Sequence, residues 1–267
     1  MDFKELGLSE KTIQAVTEAG IMTPTTVQAD VIPSILAGKD VFTIAPARCG
    51  KTCSYVLPLI DIISRRQVKN ILIITASSKQ SVGVSDRFAT FNKYHEINEA
   101  TVTDTEETIN DEANVIIASP NLLVDLMKED KVDLSSVDIL VIDDINLIKK
   151  LHQLKNLQMI IDALPPERQN IIFTNRRSKE TQDILDKILQ TPAEIKINRD
   201  KEAEADIEEP EKTTQTNLNN KYASEHQTNN ENVHDFEAVS LMKRYRTFGR
   251  KTPEFLLTRV ELDEEEN

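Results

Sequence analysis

The segment Asp40-Val-Phe-Thr-Ile-Ala-Pro-Ala-Arg-Cys-Gly-Lys-Thr52 constrains this chain more than any other. Its first half is a short, apolar, β-branched run of the kind that fits a buried strand. Gly50-Lys51-Thr52 then leads into Cys53-Ser-Tyr-Val-Leu-Pro-Leu-Ile-Asp61, whose apolar residues recur at helical spacing. A strand, a tight loop ending in Gly-Lys-Thr and a helix form a phosphate-binding arrangement. The first amides of such a helix have no partner within it, and its dipole is positive at that end, so an anion is favoured there. Lys51 would reach the outer phosphates, and the Thr52 hydroxyl would serve a bound Mg²⁺. Ala45, Arg48, Cys49 and Gly50 would line the phosphates. Ala45 and Arg48 stand where glycines are usual, and an arginine strains the loop if position 48 needs φ > 0. Cys49, beside Lys51 and Arg48, reads either as a thiol of lowered pKa or as a small residue that fits the loop.

The 267 residues suffice for one α/β domain and an appendage. Apolar residues make up 39% of the chain, enough for a core, yet no run of 18 apolar residues exists that could span a membrane. The acidic start, MDFKELGLSE, lacks the apolar stretch of a secretory signal. Two cysteines four residues apart make neither a disulfide framework nor a zinc site, so the expected setting is reducing and cytoplasmic. The net charge of −13 argues against a broad nucleic-acid-binding face, because Lys and Arg supply most non-specific affinity for phosphates.

Further strands are expected at 69–76, 114–118, 138–142, 169–174 and 193–198, each a short apolar run. Helices are expected at 10–19, capped by Ser9 and ended by Gly20, and up to about Ala37. Others follow the strands, through about residue 95, over Pro120–Met127 and near 178–189. Asp143-Asp144 closes the run Asp138–Ile142, and a carboxylate at the end of an apolar strand suits a magnesium-bound water. Five or six parallel strands alternating with helices make a three-layer α/β domain.

Several of these segments carry a family pattern. Phe3, Gly20-Ile21, Pro24-Thr25 and Gln28 resemble the Q motif of DEAD-box RNA helicases, and Asp143-Asp-Ile-Asn146 resembles their Asp-Glu-Ala-Asp tetrad. The resemblance covers about residues 1–198 and implies a RecA-like fold that binds ATP and Mg²⁺. It implies that Gln28 reads the adenine edge, which needs a donor and an acceptor together, and that Phe3 stacks on the ring. It implies that Asp143 holds the ion through water, and that Asp144 stands where a glutamate orients the attacking water. Other positions depart from the family. Ser77 and Leu122 replace arginines that contact RNA phosphates, and no glycine lies between Val84 and Phe248 where a Gly-Gly pair meets RNA. Asn121 replaces a glycine and can adopt φ > 0. Asn146 replaces a carboxylate, and Thr174-Asn-Arg176 replaces Ser-Ala-Thr, though an amide pair between Asn146 and Asn175 could join the two loops.

Beyond residue 198 the composition changes. Residues 199–234 are acidic and then rich in Asn, Gln and Thr, which reads as a disordered linker. Residues 235–267 form a short C-terminal segment, too small for a second RecA-like domain. Within it, apolar residues of 235–262 and the basic-aromatic run Lys243–Lys251 suit contact with RNA or a protein partner. Three functions follow: an adenine-nucleotide-binding domain with weak or no hydrolysis, a nucleotide-independent scaffold, or a half-enzyme completed by another chain.

Overall fold

A computed structural model describes residues 1–65, 68–105, 109 and 112–197 of the chain. The expected linker and C-terminal segment, and all contacts assigned to 235–262, lie outside these residues.

Seven strands form one parallel sheet. They are β1 (Val41–Ile44), β2 (Ile71–Ile74), β3 (Glu99–Thr101), β4 (Val115–Ala118), β5 (Ile139–Ile142), β6 (Gln169–Thr174) and β7 (Ala193–Lys196). Their order is β3-β4-β2-β5-β6-β1-β7, and every neighbouring pair is parallel. Eight α-helices accompany them among the described residues, α1 (Glu10–Glu18) and α2 (Thr26–Leu36) before β1, and α3 (Lys51–Ser64), α4 (Ser78–Phe91), α5 (Pro120–Lys128), α6 (Ile145–Lys150), α7 (Leu154–Ala163) and α8 (Lys179–Ile188) between strands.

The central strands are apolar on both faces because both faces are covered. Alternation along β2 sends Ile71 and Ile73 into one core and Leu72 and Ile74 into the other. The first core holds α1 to α4, and the second holds α5 to α8. The chain therefore fills one face of the sheet before it fills the other, giving three layers. Six strands fall in the expected runs. The seventh, β3, lies at the edge in a polar stretch, and its residues are only half-buried.

Ser9 caps α1 as expected, accepting from the Thr12 amide, and Gly20 follows that helix at φ 77°. Asn121 corrects one expectation. It lies within the first turn of α5 and has no positive φ; Pro120 at the helix start already turns the chain.

Candidate functional site

The site lies at the carboxyl ends of β5, β6 and β1, which are adjacent in the sheet. Open α/β sheets bind ligands at this end, because the loops that leave the strands meet helix N-termini there. The loop after β1 holds two left-handed residues, Arg48 at φ 66° and Gly50 at φ 89°. They turn its backbone tightly enough to open α3 at Lys51, with no side chain capping its first amides. Gly50 is required twice over. A Cβ there would take a strained φ and stand 2.7 Å from Gln28 Nε2. Arg48 carries the strain foreseen for a non-glycine residue, and its side chain is exposed.

The other loop residues close the turn from within. Lys51 Nζ donates to the Ala45 carbonyl at 3.1 Å. The Cys49 thiol donates to the Pro46 carbonyl at 3.1 Å and is buried, so it packs as a small residue with little access to solvent. From outside the loop, Thr25 Oγ1 donates to the Cys49 carbonyl at 2.9 Å and Gln28 Nε2 to the Gly50 carbonyl at 3.3 Å.

Gln28 thus has a role that its sequence context conceals. It is 3% exposed. Its Oε1 accepts from the Thr25 amide while Thr25 Oγ1 accepts from the Gln28 amide, a reciprocal cap that starts α2. One amide therefore starts α2 and braces the phosphate loop. Phe3 lies in a 3-10 turn, Phe3–Leu6, and is 2% exposed within the first core, so its ring offers no open face in this structure.

Across the sheet, Asp143 follows β5. Burial pushes its carboxyl above the usual range and the neighbouring Asp144 adds to this, while a Tyr55 hydrogen bond and the Lys51 charge pull it down. Asp144 sits at φ 64°, ψ 72° and caps α6, its Oδ1 accepting from the Leu147 amide at 3.2 Å. Asn146 is 9% exposed. Its Nδ2 donates to Thr174 Oγ1 at 2.8 Å, Asn175 Oδ1 at 3.2 Å and the Arg176 carbonyl at 2.6 Å. The amide link anticipated between Asn146 and Asn175 is present, so the loops after β5 and β6 are tied without a charge. Beside them lies an open cavity of about 370 Å³ whose lining includes Asp144, Lys149, Lys150 and Arg176.

Thr52 and Asp143 supply oxygen donors of the type a hard divalent cation takes. Among the described residues no three His, Cys, Asp or Glu side chains cluster as a metal cage.

A parallel sheet with helices on both faces, a Gly-Lys-Thr loop opening a helix and a strand-end carboxylate define a phosphate-binding-loop domain of the RecA-like class. Solved structures share this fold. A DEAD box protein from the hyperthermophile Methanococcus jannaschii superposes with a TM-score of 0.67 at 21% identity, covering 73% of this chain and 56% of that one. A hypothetical ATP-dependent RNA helicase from Sulfolobus tokodaii gives 0.65 at 25%, covering 71% and 57%.

The family model for DEAD/DEAH box helicases matches residues 25–184, and the chain belongs to that family. The DEAD-box ATP-dependent RNA helicase RhpA of Helicobacter pylori is 28% identical over 201 residues, covering 73% of this chain and 41% of RhpA. SrmB of Escherichia coli, an ATP-dependent RNA helicase, is 27% identical over 208 residues, covering 73% and 47%. The chain thus spans less than half the length of these two relatives.

Proposed function

We propose that residues 1–198 form a nucleotide-binding domain that takes ATP with Mg²⁺ and turns it over slowly, followed by a linker at 199–234 and a separate segment at 235–267. The observation that carries this reading is the loop at the start of α3, whose Lys51 charge acts on the carboxylate of Asp143 at the end of β5, with only β6 between β5 and β1 in the sheet. Lys51 would exchange the Ala45 carbonyl for phosphate oxygens, and the free amides of α3 would receive the rest of the charge. Arg48, exposed on the same loop, adds a second cation within it. Bound Mg²⁺ would neutralise charge on the outer phosphates, held by Thr52 and, through water, by Asp143. Gln28 reaches the base by a change of partner, whereas Phe3 stacks on it only if the Phe3–Leu6 turn opens.

Slow turnover is supported by Asp144. Its left-handed backbone and its bond to the Leu147 amide commit one carboxylate oxygen to capping a helix. It is also one methylene shorter than glutamate, and misplacement by about 1 Å can cost on the order of 10²-fold in rate. RNA contact would be weak, with Ser77 and Leu122 in place of arginines, and unwinding would need a second domain. The alternative is a nucleotide-independent scaffold, in which the bonds from Lys51, Thr25 and Gln28 to the loop carbonyls serve only to hold the loop.

Calorimetry with ATP, ADP and GTP in Mg²⁺ tests the reading. ATP should bind at least about ten-fold tighter than GTP, since leaving an amide unpaired costs about 1 kcal/mol or more, and Lys51→Ala should abolish binding. Single-turnover hydrolysis should run well below the roughly 1 s⁻¹ of a working kinase. Absence of any ATP binding would leave the scaffold standing.

A further inference from the structure

The hydroxyl of Tyr55 bonds neither of the groups assigned to base and phosphate, yet it bonds the carboxylate assigned to the ion. Tyr55 lies on α3, three residues after Thr52, and is fully buried. Its ring leans on Phe173 of β6 with centroids 5.3 Å apart and planes at 48°, so the ring is held between helix and sheet. Its hydroxyl donates to Asp143 Oδ2 at 3.1 Å. A phenol has one hydrogen to give. Here that hydrogen goes to the Asp143 carboxylate, from a residue one helical turn after Thr52.

We propose that Tyr55 is a positioning residue for the divalent cation: its bond to Oδ2 would fix the Asp143 carboxylate and leave Oδ1 for the water through which Asp143 would hold the ion. The inference rests on the reading that this chain binds a magnesium–nucleotide complex. One chemical point supports it. A carboxylate turns easily about its last bond, and a hydrogen bond to one oxygen stops that rotation. Packing alone does not need the hydroxyl, because phenylalanine would fill the same space against Phe173.

The test is Tyr55→Phe, with ADP and ATP affinities measured in excess EDTA and in excess Mg²⁺. The affinity in EDTA should match the wild type. The gain on adding Mg²⁺ should fall by about 10–100-fold, the usual loss when a partner that orients a metal ligand is removed. A purely structural role would lower the melting temperature and both affinities together, leaving the gain unchanged. Because the gain is a ratio of two affinities of one sample, partial unfolding cancels from it. A Tyr55→Phe protein with the full wild-type gain overturns the proposal and leaves nucleotide binding intact. A wild type with no gain at all overturns the magnesium reading and this proposal with it. In an Asp143→Asn background the Tyr55→Phe change should cost nothing more; additive losses would show that Tyr55 does not act through Asp143.

Discussion

The two ends of α3 differ in how they treat their polar groups. At the amino end, Gly50 and Arg48 hold left-handed backbone, no side chain caps the helix, and Lys51 rests on its own loop's carbonyl. Three turns later Asp61 is fully buried and surrounded. It accepts from the Ser9 amide at 2.5 Å, from Ser9 Oγ at 2.7 Å, from the Thr12 hydroxyl and from Arg65 Nη2 at 2.9 Å. One end therefore stores strain and keeps donors available, while the other saturates a buried charge and pins α1 to the core. A helix can serve as a binding edge when its far end is anchored this firmly.

The comparison can be broken by substitution. The largest loss of stability is expected for Asp61→Ala, which leaves the donors of Ser9 and Thr12 facing a cavity. Removing one partner from such a buried network costs about 3–5 kcal/mol, and chemical denaturation should read it. A loss below about 1 kcal/mol would mean that the network is not the anchor. Gly50→Ala should follow, at about 1–2 kcal/mol for the left-handed backbone, with loss of ATP binding because the Gln28 and Thr25 braces must move. Nucleotide binding that survived this change would show that the brace is dispensable.

Arg48→Gly should act in the opposite direction. It relieves left-handed strain, so the unliganded domain should gain up to about 1 kcal/mol in thermal denaturation while ATP affinity falls. A fall in both quantities would show that the arginine stabilises the loop. The smallest effect is expected at an exposed cluster at the end of α1. Glu18 meets Lys93, Tyr94 and Gln14, and these bonds lower its pKa from 4.5 to about 2. A lowered carboxyl pKa contributes stability that is present above the unfolded value and lost as pH falls through the folded one. The melting difference between wild type and Glu18→Gln should therefore be constant above pH 4.5 and close as pH approaches about 2.

Much of this architecture is legible in the sequence, for identifiable reasons. β2 and β5, reading Ile-Leu-Ile-Ile and Ile-Leu-Val-Ile, are apolar throughout because helices cover both faces. β3 escapes notice because an edge strand needs little apolar surface, and its Glu99 and Thr101 resemble the loop around them. In the candidate site, the placement of Lys51 and Thr52 at the start of a helix and of Asp143 at the end of a strand is legible because each depends on local spacing. Tyr55 is not: inside an apolar helix it reads as core, and only the sheet brings Asp143 to its hydroxyl. The capping role of Asp144 is hidden for a similar reason, since it depends on a backbone φ that the residue type alone does not announce.

The position of β1 in the sheet also sets the order in which the site can be made. β1 pairs with β6 through Val41 and Ile171, and with β7 through Val41 and Ala193. A ribosome completes the phosphate loop early, but both neighbours of its supporting strand are among the last parts of the domain to be translated. Until β6 emerges, β1 has no partner on either side, and the loop it carries has no sheet to spring from. Contacts so distant along the chain slow folding, because the intervening loop must close first. Any nucleotide binding is consequently a late acquisition of the nascent domain, even though its phosphate loop precedes six of the seven strands in translation.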